Sequence, residues 1–188
     1  MKLKKRKAIF GAIIFLFMIM LSASVFVGCR DQGITSIDDF EISLYWDTGS
    51  LPPQYHYYYF IKLDSTLNGY IEYQPGYGDP PAPEVWKSNF TINRSNLEVI
   101  YLLLEKNNFF RNSWEKTEPS IGGSYNSITI KKEGKTYKIP GDFELKKDDA
   151  LKVGELSNHI RGLVPDQLWE EIKEMQQKFE NTYENLNN

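Results

Sequence analysis

Only one cysteine, Cys29, occurs in the 188 residues, so no internal disulfide can form and stability has to come from a packed core. Histidine is almost as scarce. His56 and His159 stand far apart with no further cysteine to join them, which leaves a zinc site without support. Asp38-Asp39 and Asp148-Asp149 lack the spaced oxygen ligands of a calcium loop and read as the starts of structural elements. There is no phosphate loop and no Gly-x-Ser-x-Gly motif. Neither a metal nor a cofactor is expected. Positive charge is also short where a nucleic-acid or membrane-surface binder would need it, because no polybasic stretch follows Cys29.

What is present begins at the N-terminus. Met1 to Lys7 holds Lys2, Lys4, Lys5, Arg6 and Lys7 and no acid, and Ala8 to Val27 then runs without a charged residue. A basic start, an apolar run and a small residue before a cut site make a signal peptide. Phe26-Val27-Gly28-Cys29 resembles the lipobox of bacterial lipoproteins. The resemblance implies that the Cys29 thiol receives diacylglycerol, that a peptidase cuts before Cys29, and that the freed amino group can be acylated too. The competing reading is an uncleaved anchor, since twenty apolar residues can span a hydrocarbon core of about 30 Å. Either reading places the remainder outside the cytoplasm of a bacterial cell, held at the membrane.

Residues 1–28 contain five of the 22 basic side chains and none of the 25 acidic ones, so cleavage leaves 160 residues with a formal net charge of −8. A chain this acidic is a poor partner for nucleic acid and is repelled by an anionic bilayer. All 4 tryptophans, all 12 tyrosines and 7 of the 11 phenylalanines lie beyond the signal segment, enough ring area for a real core. Residues 29–38 read as a lipidated tether, and its nine residues from Arg30 to Asp38 reach about 30 Å at full extension. Residues 39–188 form a single domain.

Within that domain Phe40, Ile42, Leu44 and Trp46 alternate with Glu41, Ser43, Tyr45 and Asp47, a strand with one apolar face. Tyr55 to Leu63 reads as a second strand, and Leu67-Asn68-Gly69 as a turn into a third from Tyr70 to Gln74. Pro75 to Pro83 is loop, and Trp86 to Ile92 resumes the alternation. A helix capped by Ser95 and Glu98 carries Leu97, Ile100, Tyr101 and Leu104 on one stripe. Ser127–Lys132 and Lys135–Ile139 form a hairpin around Glu133-Gly134. Asp148 or Asp149 caps a helix from Ala150 to Leu163, and Pro165 opens another to about Tyr183. These elements predict an α+β fold, an antiparallel sheet of about six strands built from hairpins, with about three helices.

Two features point to binding. Tyr55-His56-Tyr57-Tyr58-Tyr59-Phe60 puts aromatic rings on both faces of one strand. Tyr57, Tyr59 and Ile61 suit the core. His56, Tyr58 and Phe60 are then either covered by a second layer or exposed as a platform that stacks on a glycan or a protein partner. In the last helix Trp169, Ile172, Gln176, Phe179, Tyr183 and Leu186 recur at heptad spacing, a seam that docks a partner helix or packs on its own sheet. One feature points to chemistry. Asp47-Thr48-Gly49-Ser50 resembles the active-site signature of aspartic proteases, which implies an aspartic-type hydrolase with Asp47 paired to its copy in a homodimer. The same four residues suit a strand-to-strand turn, because Asp and Thr bond local backbone and Gly permits positive φ.

The mature chain is also similar to uncharacterised bacterial lipoproteins with paired hairpins, a Leu-rich helix ending in Phe-Phe and a late Gly-Lys hairpin, here Leu102-Leu103-Leu104, Phe109-Phe110 and Gly134-Lys135. That resemblance implies a fold and no activity. The expectation is a membrane-anchored, extracytoplasmic binding or interaction module for an envelope protein or glycan.

Overall fold

The structure, a computed structural model, describes residues 37–78, 84–118 and 122–186. The signal segment, Cys29, most of the 29–38 tether and part of the Pro75–Pro83 loop lie outside the described residues. Among those described there are six strands, β1 (Phe40–Asp47), β2 (Tyr57–Asp64), β3 (Asn68–Pro75), β4 (Trp86–Thr91), β5 (Tyr125–Lys132) and β6 (Lys135–Ile139). Three helices accompany them, α1 (Arg94–Lys106), α2 (Lys147–Arg161) and α3 (Asp166–Leu186). No helix among the described residues is long and apolar enough to cross a membrane.

The strands make one antiparallel sheet in the order β4-β3-β2-β1-β5-β6. Alternation decides its two faces, because successive side chains of a strand point opposite ways. Phe40, Ile42 and Leu44 of β1, Tyr59, Ile61 and Leu63 of β2, Ile71 and Tyr73 of β3, and Ile128 and Ile130 of β5 are all buried on one face. Turn chemistry sets the registers. The β5–β6 link places Glu133 at φ 50° and Gly134 at φ 71°, two successive left-handed residues that match the strand twist. In the β2–β3 link the Asp64 carboxylate accepts from the backbone N–H of Thr66 at 2.9 Å and of Asn68 at 3.3 Å. Gly69 is obligatory for a different reason: a Cβ there would meet the Phe90 ring at 2.2 Å.

All three helices pack on the apolar face. Leu97, Ile100, Tyr101 and Leu104 of α1 are buried, with Tyr101 edge-on to Phe40 at 5.6 Å. From α2 come Val153, Leu156 and Ile160. The last helix, α3, lays Trp169 edge-on to Tyr59 at 5.2 Å, and its Gln176 accepts from the Tyr73 hydroxyl at 2.5 Å. Ile172 and Phe179 are buried, and Tyr183 lies against Phe179 with centroids 6.0 Å apart. The seam from Trp169 to Phe179 is therefore turned onto its own domain rather than outward to a partner helix, while Leu186 at its end is 65% exposed. The physical reason is the area at stake, since each large apolar side chain so covered contributes about 1.5–3 kcal/mol.

Three boundaries differ from expectation. Ile37 is only 1% exposed and belongs to the core, so the domain includes the last residues of the stretch read as tether. Helix α1 is capped by Asn93, whose side chain accepts from Asn96 N–H at 2.8 Å, while the Ser95 hydroxyl only donates to Asn93. Helix α2 starts at Lys147 without a side-chain cap, and Asp148 and Asp149 sit inside its first turn, where a negative charge favours the helix dipole.

Candidate functional site

The other face of the sheet carries Glu41, Ser43, Tyr45 and Asp47 from β1 and Tyr58, Phe60, Lys62 and Asp64 from β2. Tyr70 and Glu72 of β3 and Tyr125, Thr129 and Lys131 of β5 join them. Among the described residues it forms an open hollow of about 840 Å³ whose lining comes from strands and the β2–β3 turn and from no helix. Tyr58 and Phe60 are half-buried, as are Tyr45 and Tyr70, and Tyr125 is 36% exposed. Tyr45 stands 5.6 Å from Tyr58 and 6.0 Å from Tyr125, and Phe60 is 6.4 Å from Tyr70, all between ring centroids. The result is a band of rings crossing β5, β1, β2 and β3.

Two of these rings are anchored at their hydroxyls. The Tyr45 hydroxyl donates to Asp47 at 3.0 Å, and the Tyr70 hydroxyl donates to Glu72 at 2.8 Å. Residue i+2 of a strand lies roughly 6.6–6.8 Å further along the same face. A tyrosine reaches it by leaning its ring along the strand, so the hydroxyl contact restricts where the ring can go. Burial, and then the hydrogen bond from each phenol to its carboxylate, push both phenols up, Tyr70 to about 12. Both therefore remain neutral donors through ordinary pH. Burial and the nearby Glu72 charge raise Tyr58 as well.

His56 departs from the expected platform. A single 3-10 turn from Pro53 to Tyr55 precedes β2, so the alternation starts at Tyr57 and does not reach back to His56. Its ring is only 4% exposed and stacks on Tyr77 at 3.7 Å. Nδ1 lies 2.8 Å from the Gly76 carbonyl oxygen and Nε2 lies 3.2 Å from the Asp47 carboxylate. Both ring nitrogens thus face acceptors. His56 steadies Asp47, which in turn holds the Tyr45 ring; it supports the platform from beneath its edge.

The Asp47-Thr48-Gly49-Ser50 segment is a turn in this fold. The Asp47 carboxylate accepts from Gly49 N–H at 2.6 Å and from the Tyr45 hydroxyl, with His56 alongside. Thr48 exchanges hydrogen bonds with the backbone of Tyr57. Gly49 sits at φ +80°, and a Cβ on it would meet the Gly123 carbonyl at 2.0 Å. Both carboxylate oxygens are thus occupied by donors of the same chain, whereas acid-protease chemistry needs a carboxylate free to share a proton and a water. We expect Asp47→Ala to cost about 1–3 kcal/mol, since it strands a backbone N–H and a buried imidazole nitrogen. A thermal melt reads this. A peptidase activity lost in Asp47→Asn with melting unchanged would reinstate the catalytic reading.

Tyr45, Tyr70, Tyr125, Glu41 and Lys131 were not apparent as site residues from sequence, because only the sheet order sets Tyr45 beside Tyr58 and gathers the others on the same face. One signal was available: Tyr-x-Asp at 45–47 and Tyr-x-Glu at 70–72 put an acid two residues after a tyrosine on the same strand face. Among the described residues no group of three or more His, Cys, Asp or Glu side chains gathers as a metal site. In comparison with known proteins, the chain matches no family model and no curated sequence.

Proposed function

We propose that this protein is a lipid-anchored extracytoplasmic binding module whose ligand lies on the open face of the sheet, with a glycan as the ligand class. The observation that carries the reading is the pair of tyrosines whose hydroxyls are held by acids of their own strands, in a band with Tyr58, Phe60 and Tyr125 on the face that no helix covers. Rings already held in place lose little conformational entropy when a ligand packs against them. Sugar rings present such faces, and a protein anchored by lipid on Cys29 meets envelope glycans from the membrane side. The basic, apolar and lipobox segments of residues 1–29 support the anchor.

Retention of the full chain in detergent on isolated cell-wall glycan, measured by co-sedimentation, tests this. Tyr58→Ala is expected to weaken retention roughly tenfold, the size of one lost aromatic contact, with melting nearly unchanged. Tyr59→Ala, on the covered face, is expected to lose about 3–5 kcal/mol of stability instead. Retention that survives both Tyr58→Ala and Tyr70→Ala would sink the platform.

A further inference from the structure

The charges on the open face are sorted in a way that names the ligand further, and the inference rests on the platform reading above. Its four carboxylates are all engaged internally. Glu41 is held by Lys131 at 2.7 Å and Lys62 at 3.4 Å. Asp47 accepts from Tyr45 and Gly49, Asp64 from the β2–β3 turn, and Glu72 from Tyr70. The register places four lysines on the same face: Lys62 opposite Tyr70, Lys87 opposite Glu72, Lys131 opposite Glu41 and Lys138 opposite Thr129. An ammonium has three N–H donors and no acceptor. One contact to Glu41 leaves Lys62 and Lys131 each with donors to spare, and both remain open to water at 38% and 59% side-chain exposure.

The open face therefore has cationic donors left, while each of its carboxylates already holds a partner. In a mature chain of net charge −8 it is also a place where lysines balance acids. Lys62 stands across from Tyr70 and two residues from Phe60, whose rings flank it. We infer that the open face takes a carboxylate-bearing glycan: sugar rings stack on Phe60 and Tyr70 while the carboxylates reach Lys62 and Lys131. Glu41 is then the internal stand-in for the ligand's carboxylate. Burial alone would raise its pKa, but the hydrogen bond from Lys131 and the Lys62 charge outweigh that and hold it below its ordinary value of 4.5. The two lysines are already arranged around a carboxylate.

Titration calorimetry of the full chain in detergent with polygalacturonate and with the same polymer fully methyl-esterified decides the matter, because esterification removes the charge and keeps the sugar backbone. The acid form is expected to bind roughly tenfold or more tightly, the scale of a charge-assisted hydrogen bond, and to weaken with added salt. Lys62→Gln and Lys131→Gln should each reduce binding of the acid form and leave the ester unaffected. Glu41→Gln should tighten the acid form, because the internal competitor is gone; a structural role for Glu41 would move affinity the other way. Equal affinity for the two polymers, weakened alike by Tyr58→Ala, overturns the carboxylate inference and leaves the platform standing. Binding that ignores Tyr58→Ala overturns the platform itself, and binding of neither polymer overturns the inference.

Discussion

A chain ending at Val164 is expected to lose most of its stability and to expose apolar surface. Helix α3 covers β2 and β3 through Trp169 on Tyr59, and it contributes Ile172 and Phe179 to the buried interior. Gln176 alone accepts from Tyr73, donates to the Gln54 carbonyl and reaches Glu180, which ties the helix to β3 and to the turn before β2. Each large side chain withdrawn forfeits about 1.5–3 kcal/mol of burial, and a domain of this size has only about 5–15 kcal/mol in total. The uncovered Tyr59 and Tyr73 add to the loss, because their rings would face water. Circular dichroism melts and dye binding read the outcome. A truncated chain that melts like the full one would mean that α3 is held in reserve for a partner.

Replacing Cys29 with alanine is expected to abolish lipidation altogether, because no other cysteine exists to take its place. The precursor should keep its basic and apolar N-terminal segments and incorporate no fatty-acid label. The prediction rests on the order of charges, apolar run, Gly28 and Cys29, in residues outside those the structure describes. Label retained by Cys29→Ala in growing cells would sink the lipoprotein reading. The domain beyond residue 37 would be the same under either outcome.

Much of the fold was legible where one face of an element is covered and the other is not. β1 shows this directly: Phe40, Ile42 and Leu44 are buried and alternate with half-buried polar or amphipathic neighbours, so period two stands out. The hairpin at Glu133-Gly134 was legible for a similar reason, since few residues accept two successive positive φ angles. β2 was harder. Its rings point both ways, so hydrophobicity alone could not separate Tyr59, which is buried, from Tyr58, which is half-exposed. His56 was misplaced because a continuous aromatic run outweighed the Pro52-Pro53 pair, although those prolines do start the turn that ends the alternation. The helix cap was ambiguous between Asn93 and Ser95, which stand two residues apart and are both good caps. The ring band was out of reach for a different reason. β1 pairs with β5 across a long intervening stretch, and no local pattern announces that Tyr125 will stand beside Tyr45.

The place of β1 in the sheet has a mechanical consequence. It is the first strand among the described residues, and it is paired along its length on both sides, with β2 from Glu41 to Asp47 and with β5 from Phe40 to Asp47. Ladder hydrogen bonds run across the strands. A pull along the axis of β1 would therefore load both ladders in shear, all bonds sharing it together. The same pull directed across an edge strand would peel bonds one after another. Resistance to forced extraction is governed by the unfolding rate under load rather than by equilibrium stability. The rings of Tyr45, Tyr58 and Tyr125 are mounted on that same strand and its two neighbours, the part of the sheet where a load is shared most widely.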